Sequence, residues 1–173
     1  ALRAWTQREL AVLLAEPRLF DLAADSAREI QDPIRRAGAM RNIATASGKQ
    51  DLFAEALRAL EGTTGAARAY ALSDLAAASR DEALAGQIDP AYPEARASAL
   101  LRMGKYAEAW EAAALIADPY EQAQAQAVVA AAWGDAEAAN QIATALYRER
   151  SLRDVIQKTG NAALVDLIFI PYY

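Results

Sequence analysis

Histidine and cysteine, the side chains that most often carry chemistry, are both absent from the 173 residues. That removes the imidazole base, the thiolate nucleophile and the nitrogen or sulfur metal ligand. Chemistry is left to carboxylates. Asp21 and Asp25 lie one helical turn apart, as do Glu108 and Glu111. Such pairs can exchange protons or hold a hard cation, but on an alanine-rich helix the same spacing is the ordinary pattern of solvent-facing charge. Gly62-Thr63-Thr64-Gly65 is not followed by Gly-Lys-Ser/Thr, so it is no phosphate loop. The expectation is no catalytic residue, no metal and no cofactor, and a protein that is not an enzyme. A carboxylate-only enzyme stands as a third alternative, which a deep pocket with two or more buried carboxylates would favour.

The elements that would position any site read as helices. Hydrophobic residues make up 54% of the chain, but much of that is alanine, which favours helix and gives thin helix contacts. Apolar residues recur at helical spacing on both sides of Gly104: Tyr92, Ala95, Ala99 and Met103 before it, Tyr106, Ala109, Trp110, Ala113 and Ile116 after it. Asp-Pro steps at 32–33, 89–90 and 118–119 each look like a helix start, the aspartate capping free N–H groups and the proline fitting the first helical position. Gly48, Gly104, Gly134 and Gly160 are placed to end helices. Asp89 to Asp118 spans 29 residues and Gly104 to Gly134 spans 30. A period of this size means helical hairpins stacked so that each covers its neighbour's apolar stripe. The predicted fold is all-α, a right-handed α-solenoid of about five or six antiparallel helix pairs. It forms one domain over residues 1–173, either whole or a piece of a larger protein. In this reading Asp89-Pro90 opens the fourth pair. Ile142, Leu146 and Tyr147 mark the return helix of the fifth, and a last pair runs from Glu149 to Thr159 and from Asn161 to Phe169. Trp110, Trp133 and Tyr106 are expected as core anchors, with Trp110 largely buried.

The net charge is −5, unsuited to nucleic acid. Residues 61–146 hold 5 basic and 12 acidic side chains, the composition of a surface that suits a basic partner, or simply of solvated helix faces. No apolar run reaches the ~20 residues of a membrane span, and no signal peptide is visible. The expectation is therefore no nucleic acid, no membrane and a cytoplasmic location.

Gly104-Lys105-Tyr106-Ala107-Glu108-Ala109 resembles the Gly-x-Tyr-x-x-Ala start of the second helix of the tetratricopeptide repeat. Gly134-Asp135-Ala136-Glu137-Ala138-Ala139 is a weaker copy, and Pro119 resembles the proline at that repeat's end. The likeness covers about residues 89–147. It departs from the family in its shorter period and in lacking the early Trp-Leu-Gly signature. Similar alanine-rich repeats with Asp-Pro restarts occur in bacterial proteins. The resemblance implies a scaffold that binds a protein or peptide in a groove lined by the first helix of each pair. Counted back from Gly104 and Gly134, the groove positions are Glu94, Ser98 and Arg102, then Glu121 and Gln124, with Ala91, Leu101, Val128, Ala131 and Ala132 beside them; sliding the alanine pattern back by one unit adds Tyr70, Ser73 and Asp74, and by a second unit Arg41 and Asn42. The alternative is a structural helical module that packs against other domains of a larger polypeptide or self-associates.

The last residues, Leu167-Ile168-Phe169-Ile170-Pro171-Tyr172-Tyr173, carry no charge after Asp166. Repeat arrays usually end in a polar-faced cap, so this apolar tail either folds back as a cap or docks on a second copy or on a further domain. Deleting residues 169–173 separates the two. Capping requires a lower melting temperature at unchanged mass, and an interface requires a lower mass by light scattering with the fold retained. No change in either quantity sinks both.

Overall fold

The computed structural model describes residues 2–14, 16–164 and 167. Among these there is no strand, and eleven α-helices follow one another along the chain. They group into two compact units, Ala1–Asp89 and Pro90–Tyr173. The first holds α1 (Leu2–Leu14), α2 (Pro17–Arg28), α3 (Pro33–Ser47), α4 (Asp51–Ala59), α5 (Gly65–Ser79) and α6 (Glu82–Gly86). Helices α1/α2, α3/α4 and α5/α6 pair as hairpins, α2 and α4 each pack on the helix that follows, and α3 touches both α1 and α5. The second unit holds α7 (Pro93–Arg102), α8 (Tyr106–Ala114), α9 (Pro119–Trp133), α10 (Ala136–Asn140), α11 (Ala145–Thr159) and a 3-10 turn at Ala162–Leu164. There α9 is central, in contact with α7, α8, α10 and α11.

Capping aspartates start the helices. Asp32 accepts a hydrogen bond from the Arg35 N–H at 2.9 Å, and Asp118 accepts from Tyr120 and Glu121, both at 2.9 Å. Asp81 and Asp135 do the same for the short second helices α6 and α10. Asp89-Pro90 departs from the expectation, since α7 begins three residues later at Pro93. Had the helix started at Pro90, Pro93 would sit where the first intrahelical N–H is needed, and it has none to give. At the other end, Gly134 closes α9 with φ of 80°, and a Cβ there would meet Thr159 at 3.5 Å. Helix α5 makes the same left-handed turn without glycine, on Arg80 at φ 56°.

The core is thin. Its most repeated element is an aliphatic side chain just past each second helix: Ile30, Leu60, Ile88, Ile116 and Ile142, all buried. Each donates its N–H to the carbonyl three residues earlier, from 3.0 Å at Leu60 to 3.4 Å at Ile88 and Ile142. In four of the five, that acceptor is a buried alanine: Ala27, Ala85, Ala113 or Ala139. This corrects the reading of Ile142 as a return-helix residue. Helix α10 ends at Asn140, and Leu146 and Tyr147 belong to α11, which starts at Ala145 rather than Glu149. Ile142 instead joins Ala123, Ala127 and Tyr147 in one cluster.

The aromatics sit nearer the surface than expected. Trp133 is 38% exposed and stacks on Tyr106 with centroids 6.4 Å apart, while Lys158 approaches that tyrosine ring at 5.8 Å. Trp110 is half-buried, not enclosed, because it bridges the edges of two small clusters, around Ile142 and around Leu152 and Val155. Leu164 and Leu167 pack on the second of these. Residues 168–173 of the apolar tail lie outside the described residues. Ion pairs link successive hairpins of the first unit: Arg28 to Glu55, Lys49 to Asp21 and Arg41 to Asp74. Such partly exposed pairs contribute at most ~1 kcal/mol each. Trp110→Ala is expected to lower the unfolding free energy by about 2 kcal/mol, below the ~3–5 of an enclosed aromatic. Urea titration followed by circular dichroism checks this, and a Trp110 variant as stable as the parent would show that the bridge does not hold.

Candidate functional site

The first helices of the first unit share an open face on which polar side chains border apolar clefts. Trp5 and Arg8 of α1 and Arg35, Gly38, Ala39 and Asn42 of α3 line a cleft of about 250 Å³. On the other side of α3, Gly38 and Arg41 join Tyr70, Ala71 and Asp74 of α5 around a second cleft of about 350 Å³. Gly38 belongs to both.

A common register explains which side chains reach this face. Asn42, Asp74, Val128 and Asp154 each stand six residues before the left-handed residue that ends their helix, namely Gly48, Arg80, Gly134 and Gly160. Gly38, Tyr70, Gln124 and Arg150 each stand ten before it. Residues four apart on a helix share a face. In the second unit the same register places Gln124 and Val128 of α9 with Tyr147, Arg150 and Asp154 of α11 around a smaller cleft of about 120 Å³.

Of the predicted groove residues, Arg41, Asn42, Tyr70 and Asp74 come together. Arg41 pairs with Asp74 across the α3–α5 contact and with Asn42 Oδ1 at 2.9 Å. Gln124 lies in the second unit's cleft. Glu94, Ser98 and Arg102 on α7, and Glu121 on α9, are not among the residues lining these clefts. Ser73 is a correction, being only 2% exposed. It stands seven residues before its helix end, where α9 carries the buried Ala127. Sequence reasoning missed Trp5, Arg8, Arg35 and Gly38. Arg35 and Gly38 lie within two turns of Arg41 and Asn42, and counting back from Gly48 finds both, whereas Trp5 and Arg8 lie on α1, a helix without a glycine end.

The carboxylate pairs are engaged elsewhere. Asp21 pairs with Lys49 and Asp25 with Arg28, while Glu108 and Glu111 are exposed. The Arg28 guanidinium, donating to Glu55 at 2.8 Å and 2.9 Å, holds that carboxyl below its usual range. Among the described residues no group of three or more Asp and Glu is placed to hold a metal ion, and no helix is long and apolar enough to cross a membrane.

Set beside family models, curated proteins and solved structures, the chain matches none of them.

Gly38 stands out on stability grounds. It lies in the middle of a 15-residue helix with ordinary helical backbone, and a Cβ built on it meets nothing within 4 Å. Neither a turn nor a close helix contact requires glycine there. Gly38→Ala is expected to stabilise the fold by about 0.5–1 kcal/mol, read as a higher urea midpoint. A destabilised variant would show that an unseen contact requires the glycine.

Proposed function

We propose that the chain is a protein- or peptide-binding scaffold, a tetratricopeptide-like helical solenoid that receives its partner on the face of its first helices. What supports this is the meeting of two clefts at Gly38, between α1, α3 and α5. Each cleft offers an apolar floor of alanine and isoleucine with arginine and an aromatic side chain around it, joined by Asn42 in the first and Asp74 in the second. Open clefts with a few convergent polar groups are the usual form of a recognition site. An extended peptide lying along such a face would place side chains in both clefts and its main chain over the glycine. The hairpin contacts within each unit, α1/α2 to α5/α6 and α7/α8 to α11, fit repeat packing.

A second reading, a module that packs on another domain or on a second copy, draws on α1. Leu2, Trp5 and Val12 are 77%, 55% and 55% exposed, and they fall near one stripe of that helix. Such an outward apolar row is a feature of interfaces.

Panning a random dodecapeptide display library against the purified protein tests the first reading. Enriched peptides are expected to bind with micromolar affinity. They should lose at least tenfold on Gly38→Leu, which fills the junction of the clefts, and little on Arg58→Ala, away from these clefts. Absence of enrichment, or peptides that bind the Gly38→Leu protein equally well, would defeat it.

A further inference from the structure

The charge of the cleft is opposite to that of the chain. Of the charged side chains lining the two clefts, three are arginines (Arg8, Arg35 and Arg41) and one is a carboxylate (Asp74), on a protein whose net charge is −5. Asp74 is paired with Arg41. Arg8 pairs with its neighbour Glu9, yet its Nε is buried without a hydrogen-bond acceptor. Arg35 has Asp32 only at 3.9 Å, while a second oxygen of that carboxylate caps α3, and the Arg35 side chain is 75% exposed. The acidic residues 61–146 contribute only Ala67, Tyr70, Ala71, Asp74 and Leu75 to this surface. The overall excess of acid in the middle of the chain therefore does not describe the face where the clefts lie.

Three further features describe the shape of an occupant. Trp5 and Tyr70 flank the two clefts and are half exposed, at 55% and 50%, so both carry apolar surface that a ligand side chain can cover. Gly38 interrupts the row of long side chains that the same register carries elsewhere as Tyr70, Gln124 and Arg150. The notch lets a ligand backbone approach the helix at a place where glycine otherwise weakens it. Arginine presents a planar fork of donors that matches a carboxylate in two hydrogen bonds.

We infer that the occupant of the α1–α3–α5 face is an acidic peptide segment, with one or two aspartate or glutamate side chains set against Arg8 and Arg35, an aromatic or aliphatic side chain in a cleft, and its main chain crossing Gly38. This rests on the peptide-scaffold reading above and adds the chemistry of the partner to it. A nucleic acid fits less well. It needs a continuous basic track, whereas the three arginines here span two small clefts on a chain of net charge −5.

The test uses the full chain and three pools of fluorescein-labelled octapeptides with both ends blocked. All carry one phenylalanine among Gly, Ala and Ser, and they differ at three positions: Glu/Asp, Gln/Asn or Lys/Arg. In fluorescence anisotropy the acidic pool is expected to bind at least tenfold tighter than the neutral pool and to weaken as salt rises. Arg8→Gln and Arg35→Gln are each expected to weaken acidic binding about 2–5-fold, the size of a partly exposed ion pair, and to leave the neutral pool unchanged. Gly38→Leu is expected to abolish binding of every pool at unchanged helicity by circular dichroism. If the neutral or basic pool binds as well as the acidic one and Gly38→Leu removes it, the scaffold reading stands and the acidic partner is wrong. If no pool binds, both are wrong. Tighter binding of a labelled 12-nucleotide oligothymidine than of the acidic pool overturns the peptide in favour of nucleic acid.

Discussion

The structure depends on how a chain so rich in alanine closes its hairpins. Alanine removes little surface from water, so a helix such as α10, which buries Ala138 and Ala139, has almost nothing large to offer its neighbours. The deficit is met just outside the helices. Ile30, Leu60, Ile88, Ile116 and Ile142 each follow a second helix by one or two residues and are buried. The bond from each backbone N–H to the carbonyl three residues back tightens the last turn and swings the side chain under the hairpin. Burying one such side chain is worth roughly 1.5–3 kcal/mol, a large share of what a hairpin with an alanine interior can gather. The small alanine that accepts the bond leaves room for the aliphatic group beside it.

This device is written in the sequence as Ile-x-Asp-Pro at 30–33 and 116–119 and as Ile-Asp-Pro at 88–90. Aspartate and proline act through the backbone at a helix start, and that local chemistry is legible one residue at a time. At Asp32 and Asp118 it gave the correct start. At Asp89 a second proline, four residues on, overrode it. A lone buried isoleucine in a link looks like any other isoleucine until its contacts are known, so Ile142 was assigned to a helix that ends before it. The turn at Arg80 was hidden for a related reason, since the left-handed conformation there is made by a residue that rarely adopts it. Of the candidate groove residues, those counted back from Gly104 and Gly134 reach the clefts only at Gln124 and Val128, whereas the alanine pattern leads to Arg41, Asn42, Tyr70 and Asp74, which line them, and to Ser73, whose side chain is buried.

Trp110, Trp133 and Tyr106 show a different limit. Large aromatics are usually the centre of a core, but a core made of alanine has no cavity wide enough to enclose one. Trp110 therefore lies across the edges of two clusters, and Trp133 lies against Tyr106 at the surface. Their positions follow from the thinness of the interior, a property of the whole packing that helical periodicity alone does not carry.

The same thinness separates packed from unpacked positions along each first helix. At α3, α5, α9 and α11 the positions four and five residues before the left-handed residue are packed in every case: Ile43 and Ala44, Leu75 and Ala76, Val129 and Ala130, with Val155 and the half-buried Ile156 in α11. Their chemistry is nearly uniform, as a repeated contact demands. Six and ten residues before the same end stand Asn42 and Gly38, Asp74 and Tyr70, Val128 and Gln124, Asp154 and Arg150. These pairs include amide, carboxylate, phenol, guanidinium, aliphatic and hydrogen. None of the eight is buried, so packing does not dictate them, and helix propensity would not choose glycine, aspartate or asparagine for them. Positions free of packing can vary in this way, and they are where the scaffold proposed above would meet its partner. At Gly38 the helix gives up stability, with room to spare for a methyl group, at the one residue that belongs to both clefts.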